Sequence, residues 1–270
     1  MQIVTLHNIV LHRVMASLPN IFIAGMLASA VALSGCESAH KGTFYEEARQ
    51  QGYAELKVVY LPMEGFAYTN EYGDLTGVSI EILQEFADFM QVSQGIELRY
   101  EFVQEDTFSR FYEEVKSSSG GVFGLGNVTI TEERKRELRF SPPYLTNIAV
   151  LITHESVPEL REMADISTDF QGMDALAFRG TLHEERLRKL QTTYLEDAEL
   201  FYASSNNEII ERLSEQNDLF AYLDIYNYWR AAERGQPLRQ HAVGDLATER
   251  FGIIMPLDSD WRGPLADFFE

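Results

Sequence analysis

Between Gly126 and Tyr144 the chain reads Gly-Asn-Val-Thr-Ile-Thr-Glu-Glu-Arg-Lys-Arg-Glu-Leu-Arg-Phe-Ser-Pro-Pro-Tyr. Hydroxyls and one arginine stand where an apolar strand gives way to a helix, which is chemistry for holding a small carboxylate. Thr129 and Thr131 can cap orphan backbone N–H groups or turn towards a bound anion. Arg134 follows one turn later with a planar fork of donors that matches a carboxylate. Taken alone, Arg134 also reads as one solvated charge among Glu132, Glu133, Lys135, Arg136 and Glu137.

The elements that must position this segment alternate strand and helix. Leu56–Leu61 is an apolar, β-branched run; Asn70–Gly77 carries the turn signal Tyr72-Gly73-Asp74; and Val78–Met90 sets Ile82, Phe86 and Phe89 at helical spacing. Leu98–Val103 reads as a strand, Thr107–Lys116 as a helix, and Val122–Leu125 as a third strand leading into the hydroxyl-rich segment. The order βαβ implies a parallel sheet, with ligands at the carboxyl ends of its strands. Beyond Phe140 a second series follows: strands at Ile148–Thr153 and Met173–Phe178, helices from Leu182 to about Leu190 and over Asn206–Leu213, a strand at Leu219–Leu223 and a helix over Ile225–Arg234. A last apolar run, Phe251–Met255, stops at Pro256.

Composition narrows the function classes. The chain has 270 residues, 42 acids against 22 bases, and a net charge of −20. Nucleic-acid phosphates and anionic headgroups would be repelled by such a body. The six histidines are scattered, with no pair at metal spacing, so no metal site or cofactor is expected. No Gly-x-Ser-x-Gly elbow or Walker-type loop is present. Glu132-Glu133 and Glu184-Glu185 are neighbours on helices and do not face each other as paired carboxylates. No catalytic residue is assigned, and a binding protein rather than an enzyme is expected. The sole cysteine, Cys36, ends an apolar run from Ile21 to Leu33, which is too short to span a bilayer but suits a signal-peptide core.

The run Thr-Ile-Thr-x-x-Arg, ending in Phe-Ser-Pro-Pro-Tyr, resembles the family 3 extracellular solute-binding proteins, the amino-acid receptors of ABC importers. The resemblance implies an α/β, two-lobed periplasmic-binding-protein-like fold, each lobe a mostly parallel sheet flanked by helices, with two crossovers at the hinge. It implies Arg134 as the carboxylate clamp, Thr129 as its hydroxyl partner and Asn127 beside them. Arg179-Gly180-Thr181-Leu182 is similar to the family's Gly-Thr-Thr turn, which meets the same carboxylate from the other lobe; Thr181 is retained, whereas Leu182 replaces the second threonine. Asp224 falls where the family's acid receives the ligand's ammonium, an interaction suited to a carboxylate at a strand end. Both Thr181 and Asp224 also read as caps of the helices that follow. Phe66, in Phe66-Ala67-Tyr68 before Leu75-Thr76-Gly77, occupies the place of an aromatic that packs on the ligand, or else is plain core.

Leu33-Ser34-Gly35-Cys36 is similar to a bacterial lipobox, implying lipidation of Cys36 and an envelope location on the periplasmic or extracytoplasmic face, membrane-anchored by lipid. The organisation expected is a lipoprotein signal peptide over residues 1–35, a tether over 36–55, one lobe from 56–147 and 243–270, and the other from 148–242. The function expected is a monomer that captures an amino acid or similar zwitterion and delivers it to an ABC permease. The alternative is a sensing domain, or the amino-terminal domain of a larger envelope protein such as a membrane-bound lytic transglycosylase; the stop at Glu270 inside an expected helix gives this weight. An enzyme on the same fold, as in the cyclohexadienyl dehydratases, is the third reading, weakened by the missing acid/base constellation.

Overall fold

The computed structural model describes residues 40–270, apart from the side chains of Ala247 and Thr248. The expected signal peptide and the expected lipidation at Cys36 lie outside these residues. A helix, α1 (Tyr45–Gln51), leads into strand β1 (Tyr53–Tyr60), and α2 (Val78–Gln94) then carries the chain to β2 (Glu97–Gln104). Helix α2 buries Ile80, Leu83, Phe86 and Met90, a stripe at three- and four-residue spacing, against the sheet. It starts at Gly77, whose φ of 115° and whose Cβ position, 2.4 Å from the Phe66 carbonyl oxygen, admit only glycine. Strand β2 closes this edge with Glu97, Arg99 and Glu101 exposed, which discourages further strand pairing.

Helix α3 (Phe108–Ser117), capped by Thr107, returns to β3 (Val122–Thr129). This strand extends four residues past the expected end at Leu125. Its glycines permit close packing: a Cβ on Gly124 would lie 2.5 Å from Ile254, and one on Gly126 would lie 2.7 Å from the Phe111 ring. The expected helix at Arg134 is a single 3-10 turn, Arg134–Arg136, followed by the short strand β4 (Arg139–Phe140). Pro142 and Pro143 lie just beyond, where no helix continues.

Strand β5 (Leu145–His154) starts the second half. Helix α4 (Ile166–Asp169), β6 (Asp174–Phe178), α5 (Leu182–Tyr194), β7 (Leu200–Ala203), α6 (Asn206–Glu215), β8 (Leu219–Asp224), α7 (Ile225–Glu233) and β9 (Leu238–Gln240) follow; β7 had no counterpart in the sequence reading. Strand β10 (Leu246–Met255) and helix α8 (Arg262–Phe269) end the chain. One sheet runs in the order β7-β6-β8-β5-β10-β3-β1-β2, with β9 beside β5 and β4 beside β10. β1, β2 and β3 are mutually parallel, as are β6, β7 and β8, whereas β5 and β10 run antiparallel between the two sets. The fold is therefore α/β and two-lobed. Within the late apolar run, Phe251, Gly252 and Ile254 pair with Thr129, Val128 and Gly124 of β3.

Three apolar clusters hold this arrangement. Helices α2 and α8 cover one face of the first lobe around Phe86, Phe123 and Trp261, and α4 and α5 cover the second around Phe170, Leu187 and Phe220. The third, through Phe111, Val128, Ile152, Leu176 and Leu213, spans both lobes beneath α3, α6 and α7. All six parallel strands point their carboxyl ends at the gap between the lobes, which gathers loops from distant parts of the chain into one place. Among the described residues no helix is long and apolar enough to cross a membrane.

Candidate functional site

A cleft lies at those strand ends. Asn127, Thr129 and Arg134 line it from the first lobe, with Met63 and Phe108; Thr181, Leu182, His183 and Asp224 line it from the second, with Phe178 and Asn206. Five of the residues named from sequence thus share one cavity. Phe66 is not among them: it is buried, and its ring meets Tyr226 edge-on at 5.9 Å. Phe108, Phe178 and His183 were not anticipated; an apolar side chain such as Phe108 or Phe178 looks alike in sequence whether it lines a core or a cleft.

Arg134 is positioned by its own turn. Thr131 Oγ1 accepts from the Arg134 backbone N–H at 3.1 Å, and Arg134 Nη1 donates to the Thr129 carbonyl at 3.2 Å. Thr129 therefore holds the guanidinium through its backbone rather than its hydroxyl. The guanidinium lies 5.3 Å from the Phe108 ring centroid and 5.7 Å from that of Tyr112. Burial lowers its pKa from the usual value, so the charge is short of solvation that an anion in the cleft would restore. Asn127, in β3, adopts φ of 50°, an unusual left-handed conformation for a residue with a side chain. Its amide is held by Tyr144 Oη, which donates to Oδ1 at 3.1 Å, and by Met63 Sδ, which accepts from Nδ2 at 3.2 Å.

The opposite wall is more self-satisfied. Thr181 begins α5 without capping it; its hydroxyl donates to the Phe178 carbonyl at 2.8 Å. The Gly180 N–H donates to Glu184 Oε2 at 2.7 Å, and the Leu182 side chain brings no donor. The Thr181 hydroxyl and the Gly180 N–H are thus already engaged within the turn. Asp224 likewise starts α7 without a side-chain cap. Instead its Oδ1 accepts from Asn147 Nδ2 at 2.6 Å and from His183 Nε2 at 3.2 Å.

Asp224 belongs to a ring of polar groups that sequence reading missed. Arg186 Nη1 donates to His183 Nδ1 at 3.1 Å, which fixes the neutral tautomer with its proton on Nε2, directed at Asp224. Arg186 Nη2 also pairs with buried Glu249, and Glu249 Oε2 accepts from Asn147 Nδ2 at 2.7 Å. Asn147 and Glu249 are cross-strand partners on β5 and β10, the two strands between the lobes. The His183-x-x-Arg186 spacing on a helix and an acid inside a strand were the only signals, and neither names its partner.

The lobes also touch at the mouth. Glu64, after β1, receives Arg230 of α7 and Arg234 just past its end, and Arg230 also donates to the Glu64 carbonyl. These contacts, chiefly the hydrogen bond from Arg234, hold the Glu64 carboxyl below the usual carboxylate range. The cleft cavity measures only about 40 Å³, well under the roughly 300 Å³ of a common ligand site. A neighbouring cavity of about 160 Å³ shares Leu61, Met63, Phe178 and Asn206 with it. With the lobes this close, a molecule of common ligand size enters only after they part. Among the described residues no group of three or more His, Cys, Asp or Glu is placed to hold a metal.

The family profile of the bacterial extracellular solute-binding proteins, family 3, matches residues 56–238. Curated relatives include the membrane-bound lytic murein transglycosylase F of Ectopseudomonas mendocina, 28% identical over 192 residues, covering 70% of this chain and 36% of the relative. The protein of the same name from Pseudomonas fluorescens Pf-5 is 25% identical over 154 residues, covering 57% of this chain and 29% of the relative. The chain thus spans about a third of the length of these relatives. Among solved structures, an ancestral arginine-binding protein bound to arginine has a TM-score of 0.65 at 18% identity, covering 79% of this chain and 90% of that one. A substrate-binding protein of an ABC uptake transporter from Streptococcus pneumoniae with bound histidine has a TM-score of 0.65 at 16% identity, covering 83% and 88%.

Proposed function

The chain belongs to the bacterial extracellular solute-binding proteins of family 3, and on that premise we propose that it captures an amino acid or similar small zwitterion between its two lobes. The observation that carries this reading is the placement of Arg134 and Asp224 on opposite walls of one cavity. Arg134 takes the carboxylate with its fork, and Asp224 takes the ammonium with the acceptor capacity left beyond Asn147 and His183. Asn127, Thr129 and Thr181 orient the groups around the carboxylate. Residues 56–147 with 243–270 form one lobe and 148–242 the other, with β5 and β10 as the hinge between them. The role is capture rather than catalysis. Structures of similar fold with bound arginine and with bound histidine support an amino-acid-like ligand.

Delivery to an ABC permease, anchoring through lipid at Cys36 in the bacterial envelope and a monomeric state complete this reading. The second reading is a ligand-sensing domain of a larger envelope protein; it is favoured by relatives that are all membrane-bound lytic murein transglycosylases. A thermal-shift and calorimetric screen of free amino acids tests capture directly: at least one should raise the melting temperature in a saturable manner, and none doing so refutes it. The coding sequence and genes on either side separate import from sensing, a permease and ATPase favouring the first and a fused catalytic domain the second. Replacing Cys36 by Ser should abolish membrane partition; unchanged partition and mass would refute the anchor.

A further inference from the structure

A second hollow, of about 330 Å³, shares no lining residue with the cleft. Its charged lining residues are Lys135, Arg139, Arg250 and Arg262, with no Asp or Glu among them. That is the reverse of the chain's composition, in which acids outnumber bases 42 to 22. The four cations come from separate places, namely the 3-10 turn, β4, β10 and the first turn of α8, so the tertiary fold brings them together.

The cluster is also short of counter-charges. Among the described residues Arg99, Arg110 and Arg188 meet Glu97, Glu105 and Glu184, whereas Arg136, Arg161 and Arg179 are exposed and meet no acid. Arg139, Arg250 and Arg262 make no side-chain hydrogen bond or ion pair among the described residues, although all three are exposed. Lys135 has only its neighbour Glu132, at 2.7 Å. Like charges around one concavity repel, and their field is focused into it. Phe140, Pro142 and Pro143 supply an apolar, stiff wall beside them.

We propose that this hollow binds a small, multiply charged oxyanion, carrying two or more carboxylate or phosphate groups. A small ligand is favoured over a membrane or nucleic acid because a broad anionic surface would also meet the rest of a chain of charge −20. A compact anion within about 8 Å, one Debye length at physiological salt, meets mainly the four cations. The volume lies in the range of small-molecule sites, and guanidinium forks suit either oxyanion.

Calorimetric titration of the full chain with pyrophosphate and, separately, with citrate tests this at low salt and distinguishes phosphate from carboxylate. At least one should bind saturably, with affinity that falls as salt rises. The pair Arg139→Gln and Arg262→Gln should weaken it by about tenfold or more. Arg161→Gln, an exposed arginine outside the hollow, and Arg134→Ala in the cleft should leave it unchanged. Binding of neither anion overturns the proposal, as does binding that survives the double change. Loss of anion binding in the Arg134→Ala chain overturns it as well, because the cleft would then be the anion's site. So does retention on phosphatidylglycerol vesicles without binding of either soluble anion.

Discussion

Removing the Arg134 side chain is the sharpest perturbation of the cleft, because the structure sets separate magnitudes for its two effects. Without ligand, the guanidinium has one hydrogen bond, to the Thr129 carbonyl, and lies over the rings of Phe108 and Tyr112. Contacts of that kind contribute about 0.5–2 kcal/mol, and removing a charge already penalised by burial offsets part of the loss. Arg134→Ala should therefore cost the unliganded chain about 1 kcal/mol, a fall in melting temperature of about 2–4 °C for a chain of this size. Binding is affected far more. Losing one partner of a desolvated charged contact costs about 2–5 kcal/mol, or roughly thirtyfold to several thousandfold in affinity. Arg134→Lys, which keeps the charge and loses the fork, should fall between the two. Calorimetry with the amino acid that stabilises most in the screen, beside thermal unfolding without ligand, reads both quantities. An Arg134→Ala chain that binds within about threefold of the parent, or one that loses several kcal/mol of unliganded stability with binding intact, refutes the clamp. Asp224→Ala is a less clean test, since it also strips Asn147 and His183 of their acceptor.

Two further outcomes follow from titratable groups. Glu64→Gln should loosen the clasp to Arg230 and Arg234, widening the average separation of the lobes in small-angle scattering. Because Arg234 lowers the Glu64 pKa from 4.5, the ionic contribution is present above about that value and is lost as pH falls through the folded one; acidification should open the parent and leave Glu64→Gln unchanged, and equal opening of both would refute the clasp. His241, fully buried, accepts from the Leu160 N–H at Nδ1 (3.2 Å) and meets Thr153 Oγ1 through Nε2 (2.8 Å), and burial pushes its pKa from 6.5 down to about 4. The unfolded chain therefore takes up this proton at higher pH than the folded one, so stability present above 6.5 is lost down to about pH 4, on the order of 3 kcal/mol. His241→Gln should flatten that slope in denaturant unfolding across the same window; an unchanged slope would show that other groups set it.

Much of this protein is decided locally and was legible in the residues. The spacing of Ile82, Phe86 and Phe89 marked helix α2, although the buried stripe is Ile80, Leu83, Phe86 and Met90; the helix start at Thr107 and the strand Leu219–Leu223 were likewise legible within a few positions, since amphipathic period and helix starts depend on neighbours in sequence. Arg134 and Asp224 were singled out through the family resemblance; their own chemistry, a donor fork and a carboxylate, also fitted a solvated charge and a helix cap. What each residue does with that chemistry depends on which groups face it, and those lie far away along the chain. Thr129 lends Arg134 its carbonyl instead of its hydroxyl, Phe66 turns to Tyr226 and away from the cleft, and Gly180 gives its N–H to Glu184. The glycines of β3 leave the space that Phe111 and Ile254 occupy. The ring from Asp224 through His183, Arg186 and Glu249 to Asn147 joins residues up to 102 positions apart, and the four cations of the second hollow come from four elements. Burial, dielectric and hydrogen-bond partners are properties of packed neighbours, so only the tertiary structure decides them.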